Sequence, residues 1–287
     1  KEGKQYWSEA ELLKGNVNTP TNDACVGLSP DGKKLFIFRT NKNLIGGDLY
    51  ESVKIKGKWS EAIKMDPNIN NDYSIEPSAS ISLDGRILYF SSNREGGFGG
   101  FDIYRVVKLP NGEWSEALNL GKEINTPFDE DSPFIHPNGK TLYFSSEGHK
   151  SMGGFDIFRS EKEDTTWAIP ENLGFPTNTT KDDVFFTISA NEQHGYYSSN
   201  KKGGFGSQDL YTIDYLEKRL RQSVIRATVK NTFSQETLTA DITLIDVETG
   251  ELTGIYVSHP EDGRFIFVVN PNIEYDVIVE VDGYEEY

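Results

Sequence analysis

Four aspartates, Asp48, Asp102, Asp156 and Asp209, follow one another at intervals of 54, 54 and 53 residues, each inside a near copy of one glycine-rich segment. The fullest copy is Ser91 to Arg105, SSNREGGFGGFDIYR; the others are Ser145 to Arg159, Ser198 to Thr212 and, more loosely, Phe38 to Glu51. A second set of acids, Asp23, Glu76, Glu130 and Asp183, stands six positions before the Ser or His that opens a tight turn in each copy. Carboxylates brought together in this way repel, so they call for a cation, a basic partner or internal hydrogen bonds. Acid–base catalysis fits less well, because an active site needs different groups converging once, and these recur between aromatic neighbours such as Phe101 and Tyr104. The first set is therefore expected to hold each repeat together by hydrogen bonding. The second is expected to form a rim of carboxylates round a channel mouth, each accepting N–H bonds from an adjoining glycine-rich loop. Asn18, Asn71, Asn125 and Asn178, eleven positions before the same turns, read as turn formers.

The elements that would position these groups also repeat. The turns are SPDGKKLFI at Ser29, SLDGRILYF at Ser82, HPNGKTLYF at His136 and SANEQHGYY at Ser189. Asp-Gly and Asn-Gly form tight hairpins because both positions tolerate positive φ. A tryptophan segment recurs as well, at Trp7, Trp59, Trp114 and Trp167, three times as WSEA. One repeat thus reads as four antiparallel strands: Ser78 to Leu83, Ile87 to Ser92, Phe101 to Val107 and a strand near Trp114. The second is apolar on both faces (Ile87 and Tyr89, Leu88 and Phe90), so it must be covered on both sides. A four-stranded sheet covered on each face by a copy of itself is a propeller blade. The four tryptophans read as packing between blades.

The two longer connections of each blade, between the second and third strands and between the fourth and the next first, emerge at one end. Loops gathered by a rigid scaffold are where recognition is expected. Candidates for partner contact on this face are Asn93, Arg94, Phe98, Asp129, Glu130, Asp182, Asp183, Lys201, Lys202 and Phe205. Arg94, Lys201 and Lys202 stand out as the less repetitive, exposed charges.

After Tyr211 the pattern stops. Residues 1–216 read as propeller, 217–223 as a basic linker and 224–287 as a small β-sandwich with runs at Ile225 to Lys230, Ala240 to Val247, Thr253 to Val257, Arg264 to Val269 and Glu274 to Val281. The formal net charge is −16. Residues from Val224 onward carry 3 basic and 13 acidic side chains, a balance of −10. Such a chain repels phosphate backbones and argues against nucleic acid as a partner. No apolar run approaches the roughly 20 residues that span a bilayer. The single cysteine, Cys25, reads as a small core residue. The histidines His136, His149, His194 and His259 are scattered over unrelated repeat positions, and His136 reads as a surface turn residue. No G-x-S-x-G elbow or H-E-x-x-H helix is present, so no catalytic residue, metal ligand or cofactor is expected.

The S-x-D-G-x-x-LYFSS, GG-x-DIY and WSEA repeats resemble the WD40-like Pro-Asp repeat propellers related to that of TolB. The segment from Val224 to Tyr287, with ITLIDVETGE, DGRF and YDVIVEVDGYEEY, is similar to the carboxypeptidase regulatory-like domain. Together they resemble the central part of the PorE-like, OmpA-family envelope proteins of Bacteroidota. That resemblance implies an all-β chain with four repeats of a five-bladed ring. It further implies a non-enzymatic periplasmic scaffold, associated with the outer membrane in type IX secretion, that holds envelope proteins. In that family peptidoglycan is bound by an OmpA-like module, expected to be missing from this sequence. A carbohydrate-binding module or a propeller glycan-processing enzyme is the alternative.

Overall fold

The computed structural model describes residues 8–13, 17–215 and 223–284, and the ordered elements among them are all β-strands. No helix is long and apolar enough to cross a membrane among the described residues. Four antiparallel sheets follow one another along the chain. The first blade holds β1 (Asp23–Leu28), β2 (Lys34–Thr40) and β3 (Gly47–Ile55), with the short β4 (Lys58–Trp59) and β5 (Ile63–Lys64) pairing β3. The second is β6 (Ala79–Ile81), β7 (Ile87–Ser92), β8 (Asp102–Val107) and β9 (Leu118–Asn119). The third is β10 (Glu130–Ile135), β11 (Thr141–Ser146) and β12 (Asp156–Glu163), with β13 (Thr166–Trp167) and β14 (Glu171–Asn172) on β12. The fourth has three strands, β15 (Asp183–Ile188), β16 (His194–Ser199) and β17 (Asp209–Asp214).

Consecutive first strands lie against one another, β1 on β6, β6 on β10 and β10 on β15, so the blades are arranged radially with these strands innermost. Apolar faces close between blades. Phe36 and Leu49 of the first meet Leu88, Phe90, Tyr104 and Trp114 of the second, and Tyr89 and Ile103 of the second meet Leu142, Phe144 and Trp167 of the third. The Trp167 ring stands edge-on to Tyr89 at 6.1 Å, a favoured aromatic geometry. Trp59 is capped instead by Lys54, whose ammonium lies 5.5 Å from the ring centre. Trp7 lies outside the described residues.

In the fourth blade the corresponding outward face is bare. Leu210 is 68% exposed, whereas Ile103 and Ile157, at the same place in the second and third blades, are fully covered by the next blade.

A second unit of two sheets follows: β18 (Ser223–Thr228) pairs with β21 (Arg264–Val269), and β19 (Asp241–Asp246) lies between β20 (Leu252–Val257) and β22 (Tyr275–Glu280). Ile242, Leu244, Phe265 and Phe267 form the core of this sandwich. It sits over the end of the propeller that carries the tight turns, where Lys33 in the first blade's turn pairs with Asp262 at 2.9 Å.

Candidate functional site

The loop end of the propeller is built by one hydrogen-bond pattern. Asp102, at the start of β8, accepts from the N–H groups of Phe98 at 2.6 Å and Gly99 at 3.0 Å, and from Asn119 Nδ2 at 2.7 Å. Asp156 accepts from the Met152 N–H and from Asn172 Nδ2, the latter at 3.0 Å, and Asp209 from the N–H groups of Phe205 at 2.8 Å and Gly206 at 3.2 Å. Each carboxylate thereby folds the glycine-rich loop back on its own strand. In the first blade Lys64 holds the register position of Asn119, opposite Tyr50 as Asn119 is opposite Tyr104, and pairs with Asp48 at 3.0 Å.

The second set of acids stands at, or just before, the start of the innermost strands. Glu130 is buried and accepts from Thr126 N at 2.8 Å, Thr126 Oγ1 at 2.7 Å and Ser146 Oγ at 2.6 Å. Asp183 accepts from Thr179 N and Oγ1, Glu76 from Ser74 and Ser92, and Asp23 from Thr19 and from Arg39 Nε at 2.6 Å. The donors are a threonine or serine of the preceding loop and, for Asp23, Glu76 and Glu130, a residue of the second strand, not the glycine-rich loop the repeat pattern suggested; Asp183 Oδ1 has no partner among the described residues. Burial pushes the Glu76 and Glu130 carboxyls above the usual range despite these bonds. Burial works against the Asp23 carboxylate, but the Arg39 guanidinium and the Thr19 N–H and hydroxyl together hold it below that range.

Asn125 and Asn178 are not turn formers. Asn125 is buried, accepts from Ile103 N at 2.7 Å and donates to Ile103 O at 3.0 Å, so its amide acts as a further strand residue beside β8. Asn178 does the same to Ile157. Beside β3 of the first blade this role falls to Asn70, against Leu49, because the loop before Glu76 is one residue longer. Asn71 does form a turn, its Oδ1 accepting from Tyr73 N at 3.0 Å and its carbonyl from Ser74 N at 3.2 Å.

Arg94 is not an exposed partner contact. Its side chain is 13% exposed, lies 3.6 Å from Glu76 and donates to Ile69 O at 2.6 Å and Asn68 O at 3.2 Å. Its guanidinium also sits 5.0 and 4.9 Å from the Phe90 and Tyr104 ring centres. Lys201 occupies the same niche in the fourth blade, bonded to the Tyr197 hydroxyl at 2.7 Å and 3.7 Å from the Tyr211 ring centre. In the third blade His149 fills it, between Phe144 and Phe158, with Nε2 at 2.9 Å from Ile124 O. Burial lowers the His149 pKa.

Asn93, Asp129 and Asp182 are likewise engaged within the scaffold. They accept from the N–H groups of Ile75 at 2.7 Å, Phe101 at 2.8 Å and Phe155 at 3.3 Å respectively. His136 is buried, not a surface residue; its Nδ1 accepts from Asn138 N at 3.2 Å, and burial keeps its pKa low. Cys25 is exposed on the innermost strand and is not a core residue.

Of the expected contact residues, Asn93, Phe98, Lys202 and Phe205 remain at the surface, Asn93 with its side chain bonded to Ile75 N. Two further residues join them at the same repeat position, four before each strand aspartate. Leu44, Phe98 and Met152 are 59%, 52% and 47% exposed, and Phe205 is fully so. In three of the four, the aspartate fixes the backbone N–H of this residue while the side chain projects outward. Tyr73 and Phe128, on the neighbouring long loops, are also exposed. Leu44 and Met152 were missed because they are not aromatic; the signal for them was an apolar residue at one fixed distance from each aspartate.

No family model and no curated protein matches the chain. Among solved structures it is similar to a putative TolB from Agrobacterium tumefaciens at 17% identity and a TM-score of 0.39, over 88% of this chain and 91% of that one. It is also similar to puromycin hydrolase (13% identity, TM-score 0.39, 77% of this chain and 33% of that one) and to prolyl oligopeptidase B from Galerina marginata (14%, 0.39, 92% and 35%). The chain thus spans about a third of the length of those two hydrolases. Similarity at these TM-scores carries no conclusion about activity, and the propeller stands on its own sheets.

Proposed function

We propose that the chain is a non-catalytic scaffold whose loop rim seats a protein partner on Leu44, Phe98, Met152 and Phe205. The observation that carries this reading is the return of an exposed apolar side chain at one position in all four repeats. Single exposed apolar residues are ordinary, but a set gathered on one rim marks an interaction surface, and aromatic anchors dominate such surfaces. The repeated carboxylates, for their part, are occupied by backbone and side-chain donors of their own blade. The resemblance of the repeats to Pro-Asp propellers and of the sandwich to the regulatory-like domain supports a place among periplasmic envelope assemblies, with type IX secretion as the specific reading.

A photo-crosslinking amino acid at position 98 or 205, in the chain expressed in its own envelope, should trap the same protein. The control position Lys140, on a tight turn at the other end, should not. Replacing Phe98 and Phe205 by serine should lower partner recovery at least tenfold with the melting temperature unchanged. Equal trapping from Lys140, or retention on glycan in place of protein, would overturn the proposal.

A further inference from the structure

At the tight-turn end, the C-terminal halves of all four innermost strands line a half-open cavity of about 610 Å³, with the sandwich on its other side. The size falls in the range of about 300–1,000 Å³ usual for small-molecule sites. Its walls are apolar, with Ile81, Phe134, Phe186 and Ile188 from the blades and Ile266 and Val268 from the sandwich. Strand pairing is irregular beside it, between Asp131 and Phe134 and between Val184 and Thr187, so Ser132 and Phe185 adopt positive φ of 54° and 55°.

One polar group of the lining stands apart. Arg226, on β18, is exposed and is the only charged side chain among the described lining residues, and its guanidinium forms no ion pair or hydrogen bond among the described residues. A guanidinium at the edge of an apolar lining favours a negative group beside it.

We propose that this cavity binds one small amphipathic anion, its apolar body among the innermost strands and its head group paired with Arg226. The site is separate from the loop rim and does not depend on what the rim binds.

The probes are sodium dodecanoate below its micelle concentration and, as the uncharged counterpart, 1-dodecanol, titrated calorimetrically into the full chain. Dodecanoate should bind as one molecule per chain, about tenfold more tightly than dodecanol, since a charge-assisted pair is roughly twice as strong as a neutral one. Arg226→Gln should bring dodecanoate down to the affinity of dodecanol with the melting temperature unchanged. Cys25 also lines the cavity and is the sole cysteine, so occupancy should slow its alkylation by N-ethylmaleimide. Absence of saturable binding, equal affinity for the alcohol, indifference to Arg226→Gln, or a bound state that leaves Cys25 equally reactive would each overturn the proposal.

Discussion

Arg94 shows what decides the role of a single charge in this molecule. Its neighbours in sequence, Asn93 and Glu95, are exposed. The guanidinium nonetheless turns inward because Ile69 O and Asn68 O of the preceding loop, the Glu76 carboxylate and two aromatic faces all need a donor in one place. Arg94→Glu leaves those carbonyls unpaired and sets a second carboxylate beside a fully buried one. We expect it to lower stability by about 3–5 kcal/mol, the range for breaking a buried pair. The same reversal at exposed Lys202 should change it by no more than about 0.5 kcal/mol. Urea unfolding of the two variants side by side is the measurement, and a similar midpoint for both would refute this account.

At the scale of the element, the glycine-rich loop is shaped by how closely it approaches the next blade. A Cβ on Gly99 would run into the Phe128 carbonyl oxygen, and one on Gly153 would lie 2.6 Å from the Thr180 carbonyl carbon. Gly99→Ala should therefore separate the second and third blades at their loop ends. Amide hydrogen exchange should speed at Phe101, whose N–H is bonded to Asp129 across that junction, and remain slow in β11.

Much of this level was legible in the sequence. The 54-residue period marks the repeated units, and the doubly apolar run at Ile87 to Phe90 requires a neighbour on each side, which it has. The hydrogen-bond partners were not legible. Asn125 looks like a turn residue because nothing nearby in sequence shows that Ile103, 22 residues earlier, would offer both its backbone groups. Counting back by a fixed interval picks Asn71 over Asn70, because one inserted residue leaves the apolar pattern intact while shifting the amide.

For the whole molecule, the important unreadable fact is where the sandwich lies. Lys33 and Asp262 are 229 residues apart, and neither carries a motif that would pair them. Their contact, with the apolar wall from β18 and β21, turns the inner face of the propeller into a half-open cleft and places Cys25 in its lining. Lys33→Asp sets two carboxylates against each other at this junction, and alkylation of Cys25 should become several times faster than in the parent chain. An unchanged rate would mean that the sandwich is held by its apolar contacts alone. The salt dependence should point the same way, because a partly exposed pair weakens as ionic strength rises.

The strand aspartates hold their loops through the main chain four residues earlier, a grip indifferent to what hangs from that Cα. Phenylalanine and methionine have both been accommodated there. Variation at these posts can thus retune whom the protein meets while its architecture stays untouched, and relatives would be expected to diverge there first.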